Sequence, residues 1–381
     1  MAAASVGSIK RHFRKLVDPR VVGRTDHLLV DILVMAICAV IANCNSWEDI
    51  ALFAKKRQAW FKRFLQLPNG IPSHYTFRRV FDQLNPRAFQ HCLVSWVKDI
   101  SDLAGLKHIA IDGKTLRHSG KEGAGLRMLH AVSAWASEQH VLLGQVMTEA
   151  KSNEITAIPK LLELLDLHGA LVTIDAMGCQ KAIAAQIVRQ GGDYVLTVKA
   201  NQEQLLEDIQ TTVAKALEGD LGAEPVEQYH HVEAGHGRHE ERSYILIHNV
   251  EGIRDRAHWA KLTTVGMICS ERTVNGETSA EVRYFIGSKK MGVRKYARVL
   301  RGHWGIENNL HWQLDVSFGE DDSRIAQRHA GANFAVLRRI AISLLKQNPG
   351  KESIGRKRMV AALDPDFLAE ILTGANKQGK V

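Results

Sequence analysis

The chain has 381 residues, of which 45% are hydrophobic and 24% charged, a composition typical of a globular protein with one elaborated domain or two domains. Its five cysteines show no C-x-x-C spacing, which argues against a disulfide framework or a cysteine zinc site and predicts reduced thiols in a cytoplasmic protein. The most apolar run, residues 28–44, is short for a bilayer span and lacks signal-peptide flanks, so it predicts a core helix.

The formal net charge of +9 is unevenly distributed along the chain. Residues 1–106 hold 15 Lys and Arg against 8 Asp and Glu, and residues 321–381 hold 11 against 6. The centre, residues 107–320, holds 24 against 27. Two basic flanks around a slightly acidic centre suit a catalytic site whose flanks grip a polyanion, although charge alone does not identify nucleic acid.

The first part of the chain, residues 26–97, has helical spacing. Ser46 is the predicted cap of one helix, and Ser73 caps a later helix that carries Arg78 and Arg79. A helix, a short Gly/Pro turn and a second helix resemble a helix-turn-helix DNA reader. A plain helical scaffold, with both arginines on phosphates or in solvent, fits the pattern equally well.

An ordered alternation of strands and helices follows. Three strands precede a helix, and two further strand–helix pairs come after it; this order predicts an α/β fold with an RNase H-like mixed sheet. In that arrangement strands one and four are neighbours, so Asp112 and Asp175, which end them, meet. The predicted strands are 108–112, 129–136, 140–147, 171–175 and 194–199, and the predicted helices are 153–165, 180–189 and 202–217.

Residues 224–290 interrupt the alternation and predict a β-rich insertion. A histidine cluster lies in this segment, but no cysteine accompanies it and its spacing fits no common zinc site. We therefore do not expect a metal there. The cluster comprises His230, His231, His236 and His239.

A late helix is predicted over residues 293–314. One of its faces is apolar, and the opposite face is polar and aromatic, which favours contact with bases and phosphates. Packing of the aromatic residues on the β-rich insertion is the alternative. The polar stripe contains Arg301, Trp304, Asn308, His311 and Asp315, with Glu307 at its edge.

Carboxylates at these positions suggest phosphodiester chemistry. Two aspartates on adjacent strands and a glutamate on a facing helix can hold two Mg²⁺ or Mn²⁺ ions about 4 Å apart. Glu307 is a better third ligand than Asp315, because eight helical residues separate the two by about 12 Å. Lys114 and Arg301 are candidate phosphate contacts, and Trp304 or Trp312 is a candidate for base stacking.

Several long motifs resemble the ISAs-type (H-repeat-associated) DDE transposases of bacterial insertion sequences. The resemblance covers about residues 17–347 and implies a small N-terminal associated domain, an RNase H-like core and a β insertion before the glutamate. It further implies that Asp112, Asp175 and Glu307 are the catalytic, metal-binding carboxylates of an enzyme that cuts and joins DNA at element ends. The motifs are A-I-D-G-K at 110–114, T-I-D-A at 173–176, V-K-A-N-Q at 198–202, H-W-G-I-E-N-N-L-H-W at 303–312 and L-D-V-S-F-G-E-D at 314–321.

One signature departs from many related transposases, which carry Tyr, Arg and Lys around the glutamate. The corresponding positions here are Leu300, His303 and Leu314. The resemblance therefore implies that phosphate contacts come from other residues, for which Arg301, His303 and His311 are the candidates.

Together these features predict three regions. They are a helical, transposase-associated DNA-binding domain over residues 1–106, a DDE core over 107–347 and a basic helical tail over 348–381. The expected partners are double-stranded DNA and a second copy of the chain in a homodimeric synapse, in a cytoplasmic, nucleoid-associated protein. The competing hypotheses are a DNA-binding protein without activity and an RNase H-like endonuclease without strand transfer.

Overall fold

A computed structural model describes residues 2–21, 23, 25–100, 108–116, 129–148, 154–220, 226–235, 237–325 and 327–373. In chain order its helices are α1 (Ala2–Phe13), α2 (Leu29–Ile41), α3 (Trp47–Lys56), α4 (Gln58–Phe61), α5 (His74–Gln83), α6 (Pro86–Ile100), α7 (Glu154–Leu162), α8 (Lys181–Arg189), α9 (Glu203–Glu218), α10 (Val293–His303), α11 (Trp312–Val316), α12 (Ala330–Gln347), α13 (Ile354–Leu363) and α14 (Pro365–Thr373).

The described strands form a nine-stranded mixed sheet in the order β3-β2-β1-β4-β5-β9-β8-β7-β6. β1 pairs with β4, and β4 with β5, in parallel; β2–β3 and every described pair from β5 to β6 are antiparallel. The strands are β1 (His108–Leu116), β2 (Leu129–Ala136), β3 (Val141–Thr148), β4 (Leu171–Ile174), β5 (Asp193–Val198), β6 (Val226–Gly235), β7 (Arg238–Ile247), β8 (Thr264–Val274) and β9 (Glu277–Gly287).

This architecture confirms the predicted α/β fold with an RNase H-like sheet. The predicted β-rich insertion consists of β6 to β9. The insertion is part of the same sheet, because β9 pairs with β5. The pairing begins with Val195 and Gly287 and includes the next three residue pairs.

The chain divides into two compact units. We call residues 1–105, 113–151 and 306–381 the helical unit, and residues 106–112 and 152–305 the sheet unit. The boundaries of the three regions predicted from the sequence remain a prediction.

The helical unit is built around α2 and α12, which pack against each other. Every residue of α2 from Asp31 onward is buried, as the apolar run predicted. The helix ends before Asn43, whose φ of 71° lies in the left-handed region. Asn333 of α12 donates to the carbonyls of Phe81 and Leu84 at 2.8 and 2.9 Å, which ties α12 to the end of α5. Among the described helices none is both long and apolar enough to cross a membrane.

In the sheet unit, α10 packs on the strands through one apolar cluster. Tyr296 of α10 is fully buried, its ring is 5.5 Å from that of Phe285, and its hydroxyl donates to the Lys289 carbonyl at 2.8 Å. Leu171 of β4 and Val195 of β5 belong to the same cluster. This packing fixes α10 on the strands beside β4, the strand that Asp175 follows.

Candidate active site

Two predicted catalytic residues lie where the pairing of β1 with β4 ends, in the sheet unit. The parallel register pairs Ile111 of β1 with Ile174 of β4, and Asp112 and Asp175 are the next residue on each strand path. Adjacent strands are about 4.8 Å apart, so the two aspartates are neighbours, as predicted. The prediction that Asp112 ends its strand was wrong, because β1 continues beyond it to Leu116.

Asp175 also begins the turn that leaves β4. Its side chain accepts a long hydrogen bond of 3.4 Å from the Gly178 amide, in a 3₁₀ turn over Ala176–Gly178. Burial raises the pKa of the Asp175 carboxyl, and the carboxylate of Glu154 raises it further. The Gly178 and Met177 amides and the Lys199 ammonium act in the opposite direction. A bound cation would stabilise the ionised form of Asp175, which burial and the second carboxylate disfavour.

The V-K-A-N-Q motif holds this turn in place. Asn201 donates from its side-chain amide to the carbonyl of Ala176 at 2.7 Å, and Gln202 donates to the carbonyl of Cys179 at 2.9 Å. Both acceptors lie within four residues of Asp175. The motif therefore positions the segment that follows the aspartate.

Beneath the two aspartates, three buried side chains form a hydrogen-bonded chain. The Thr173 hydroxyl lies 2.8 Å from Nε2 of His108 and 3.0 Å from Nδ1 of His303. A hydroxyl has one hydrogen to donate, so Thr173 donates to one ring and accepts from the other. Burial lowers the pKa of His108 to about 3 and that of His303 to about 4. The chain links β1, β4 and the end of α10 with neutral histidines.

The predicted late helix is helical over nearly all of residues 293–314, but it is not a regular α-helix throughout, so the positions of its side chains do not follow 100° per residue. α10 ends at His303, residues 307–311 form a π-helix, and α11 begins at Trp312. A π-helix places side chains out of phase with an ideal α-helix and is frequent at functional sites. Glu307 is the first residue of the π-helix and is exposed, in the helical unit.

Lys114 lies in the interior of the helical unit with only 8% of its side chain exposed. Its ammonium is 2.7 Å from Asp315 Oδ1 and 3.0 Å from Asp321 Oδ1. Burial raises the pKa of the Asp315 carboxyl, and Lys114 opposes that rise. Asp315 is therefore engaged by a lysine, which favours Glu307 over Asp315 as a candidate metal ligand.

The structure places two predicted phosphate contacts where they do not face solvent. Lys114 is paired with two aspartates, and His303 is buried with its ring bonded to Thr173. Direct contact of either side chain with DNA is therefore not supported, because each would first have to leave its buried partners.

The other predicted DNA contacts are at least partly accessible, but several have protein partners. The Arg301 guanidinium is 2.5 Å from the Glu233 carboxylate. Trp304 is 38% exposed, and the Arg283 guanidinium lies 3.6 Å above its ring. Arg78 donates a hydrogen bond to the side chain of Gln327. The remaining candidates are Arg79 and Asn308, which are exposed, and His311, which is half-buried.

The histidine cluster occupies the hairpin of β6 and β7. His230 bonds Ser243 at 3.0 Å, and His231 and His239 lie beside Glu233 and Glu241 at 3.3 and 3.7 Å. His236 is outside the described residues. Within the part of the chain that the structure describes, no three His, Cys, Asp or Glu side chains are grouped closely enough to hold a metal ion.

Comparison with known proteins identifies the family of the chain. The family model described as "Transposase DDE domain" matches residues 104–344, and the model described as "DDE_Tnp_1-associated" matches residues 10–97. The chain belongs to the DDE transposase family. The N-terminal associated segment and the RNase H-like core implied by the motifs are both part of this match.

Among its relatives is YhhI of Escherichia coli (strain K12), whose name assigns it to the H repeat-associated transposases. It is 37% identical over 373 residues, which cover 96% of this chain and 98% of YhhI. YncI of Escherichia coli O157:H7, also named as a transposase, is 38% identical over 98% of this chain and 97% of its own. A solved piggyBac transposase synaptic complex with hairpin DNA aligns with a TM-score of 0.43 and 9% identity, over 98% of this chain and 78% of that one.

Sequence reasoning missed several residues that surround Asp175. Asn201 and Gln202 were visible as part of a motif, but the motif does not show which carbonyls they bind. Thr173 was visible only as the residue two before Asp175, on the same side of the strand. Glu154, which is 4% exposed, gave no signal beyond its place at the start of a predicted helix.

Proposed function

We propose that this protein is a Mg²⁺-dependent DNA transposase that cuts DNA at insertion-sequence ends and joins the cut strands to a target. The observation that carries the proposal is the pair Asp112 and Asp175, which directly follow the last residue pair of the parallel strands β1 and β4 in a member of the DDE transposase family. Two neighbouring carboxylates supply the oxygen ligands that Mg²⁺ and Mn²⁺ prefer.

The proposed catalytic and metal-binding residues are Asp112, Asp175 and Glu307. Two bound divalent ions would activate the attacking water or 3′-hydroxyl and stabilise the leaving oxygen of an in-line displacement. Asp175 suits this role because burial and Glu154 disfavour its ionised form, so a cation there would offset a cost already present. Gln202, Asn201 and the turn that they hold keep the Asp175 carboxylate at the strand end.

The proposed DNA contacts are side chains that retain access to solvent. They are Arg78, Arg79, Arg301, Trp304, Asn308 and His311, and the basic flanks add non-specific attraction to the backbone. Lys114 and His303 are assigned to positioning within the protein. Double-stranded DNA, a homodimeric synapse and a nucleoid-associated location complete the proposal.

The test is an in-vitro cleavage assay with Mg²⁺ or Mn²⁺ on DNA that carries the ends flanking the gene. Wild type is compared with Glu307→Gln and with Asp315→Asn, a matched loss of one carboxylate nearby. The proposal expects cleavage and strand transfer by wild type, none by Glu307→Gln and residual cleavage by Asp315→Asn. Loss in Asp315→Asn alone would reassign the third ligand. Cleavage without joining would support an endonuclease, and binding without cleavage a DNA-binding protein.

A second readout does not depend on activity. A ligand that binds only the folded state at 100 times its dissociation constant stabilises it by about 2.7 kcal/mol. Mg²⁺ should therefore raise the melting temperature of wild type and fail to raise that of Asp112→Asn. Equal shifts in the two proteins would count against a metal at this aspartate.

A further inference from the structure

Among its described residues the helical unit buries three arginines, and two of them have polar partners at their terminal nitrogens. Arg339, with no exposed surface, pairs with Glu320 at 2.7 and 3.2 Å. Arg358, also fully buried, donates to the carbonyls of Val40 and Ser317, and its guanidinium lies 3.8 Å above the Phe318 ring. The terminal nitrogens of these two guanidinium groups have the polar partners that buried charges require, although the Nε atom of each is buried without one.

Arg338 is different. It is 2% exposed, and its guanidinium lies 4.5 Å from the centre of the Phe334 ring. Among the residues that the structure describes, its guanidinium has no hydrogen-bond or ion-pair partner. The Nε atom is buried without a partner in all three arginines, so Arg338 differs from the other two in its terminal nitrogens. The nearby Glu320 carboxylate is already bonded to Arg339. A buried guanidinium whose nearby carboxylate is bonded to another arginine has only part of its charge compensated, so this position can accept an anionic ligand.

Arg338 also lines a groove of about 730 Å³ in the helical unit. The same groove is lined by Ser46, the N-cap of α3, and by the arginines Arg78 and Arg324. Tyr75 at the groove is 63% exposed, and the His74 ring packs 4.0 Å from it. A cation and an exposed aromatic ring together match a phosphate with its attached base.

Acidic side chains limit where an anion can bind. Glu48, Asp49, Asp82 and Asp322 line the same groove, so the groove as a whole is not basic. Asp82 is 3.7 Å from Arg78, which reduces the attraction that this arginine offers. Binding of an anion must therefore depend on the Arg338 guanidinium itself rather than on a diffuse positive field.

We propose that this groove is an anion-binding site in which Arg338 takes one backbone phosphate of a DNA strand through charge-assisted hydrogen bonds. The identity of the anion as DNA rests on the proposed function, whereas the anion site itself does not. All residues that line the site belong to the helical unit, whereas Asp112 and Asp175 belong to the sheet unit.

The test uses the full chain in EDTA, so that cleavage does not enter. Arg338→Met removes the charge and keeps an unbranched side chain against Phe334, and Arg87→Met removes an exposed arginine of the same unit. Melting temperatures are measured in sodium phosphate and in sodium chloride of equal ionic strength. Binding to a short duplex of the element end is measured by fluorescence anisotropy over a salt series.

The proposal expects Arg338→Met to be at least as stable as wild type in chloride, because an unpaired buried charge is removed. Phosphate should raise the melting temperature of wild type and Arg87→Met by several degrees more than that of Arg338→Met. Duplex affinity should fall about tenfold in Arg338→Met, with a salt slope smaller by about one. Arg338→Lys, which keeps the charge, should recover part of both effects.

Two results would overturn the proposal. An equal phosphate effect in wild type and Arg338→Met would show that the groove holds no anion at this residue. A phosphate effect lost in Arg338→Met with unchanged duplex affinity would show that the site takes a free anion and not DNA. Neither result depends on cleavage, so failure here is distinguishable from failure of the proposed transposase activity.

Discussion

The side-chain amide of Gln202 donates a hydrogen bond of 2.9 Å to the main-chain carbonyl of Cys179. This bond joins the loop after β5 to the turn after β4, four residues beyond Asp175. Since the two segments come from neighbouring parallel strands, the bond fixes one strand end relative to the other. The V-K-A-N-Q motif, which contains no acidic residue, thus helps to position the acidic residue Asp175.

Replacing Gln202 with Ala should reduce activity more than stability. Loss of one such bond costs about 1 kcal/mol of unfolding free energy, whereas a displaced carboxylate lowers kcat by much more. Gln186→Ala is the matched control, since Gln186 makes the same kind of bond, also of 2.9 Å, to the Pro159 carbonyl in the same unit. Urea unfolding and cleavage rates are measured for both variants. Equal losses of kcat in the two would show that Gln202 has no special role.

The buried pair His108 and His303 should make stability fall with acidity. Both histidines have folded-state pKa values far below the unfolded value of about 6.5, so between pH 6.5 and pH 4 the unfolded chain binds protons that the folded chain does not. Their contribution is complete above pH 6.5 and is lost as the pH falls, by about 2 kcal/mol per histidine at pH 5.

The measurement is urea unfolding at pH 7.5 and pH 5.0 for wild type and His303→Gln. The variant cannot take up the proton at this position, so its loss of stability on acidification should be smaller by about 2 kcal/mol. His91→Gln, which changes an exposed histidine, should behave like wild type. An unchanged pH dependence in His303→Gln would show that His303 is not held neutral in the fold.

Sequence patterns predicted the features that depend on residues close together in the chain, such as helix caps. They did not predict contacts between residues that are distant in the chain. Ser46 and Ser73 cap helices as predicted, because a cap and its helix lie within four residues. The chain through Thr173 joins residues 65 and 130 positions apart, which no local pattern encodes. The late helix was predicted as a regular α-helix because periodicity assumes 100° per residue, and a π-turn breaks that assumption.

The pairing of Lys114 gives a third prediction. Its partners lie about 200 residues away in sequence, Asp321 being 207 positions distant, and the lysine is almost fully buried. Lys114→Met should lower the free energy of unfolding by roughly 1–3 kcal/mol, because two half-buried carboxylates lose their counter-charge. The salt dependence of DNA binding should remain that of wild type.

A double-mutant cycle with Asp315→Asn provides the control for Lys114. Removing the carboxylate as well should recover part of the loss, with a coupling of about 1 kcal/mol between the two positions. Additive effects would show that the ion pair contributes nothing measurable. A reduced salt slope in Lys114→Met would instead return this lysine to the DNA interface.

Gly178 leaves no room for a side chain beside Asp175. A Cβ atom there would lie 2.3 Å from Cγ2 of Ile174 and 3.0 Å from Cδ1 of Ile158, so Gly178→Ala must shift the turn or the strand. We expect a loss of roughly 1–3 kcal/mol in unfolding free energy and a larger proportional loss of cleavage, because the shifted turn is the one that Asp175 caps.

Gly355→Ala in α13 is the control: a Cβ there meets nothing within 4 Å, and added helix propensity should leave stability unchanged or raise it by up to about 1 kcal/mol. Thermal unfolding and cleavage are measured for both. A Gly178→Ala protein that melts and cuts like wild type would show that the turn tolerates movement, and that the close packing of Gly178 on β4 does not determine where Asp175 lies.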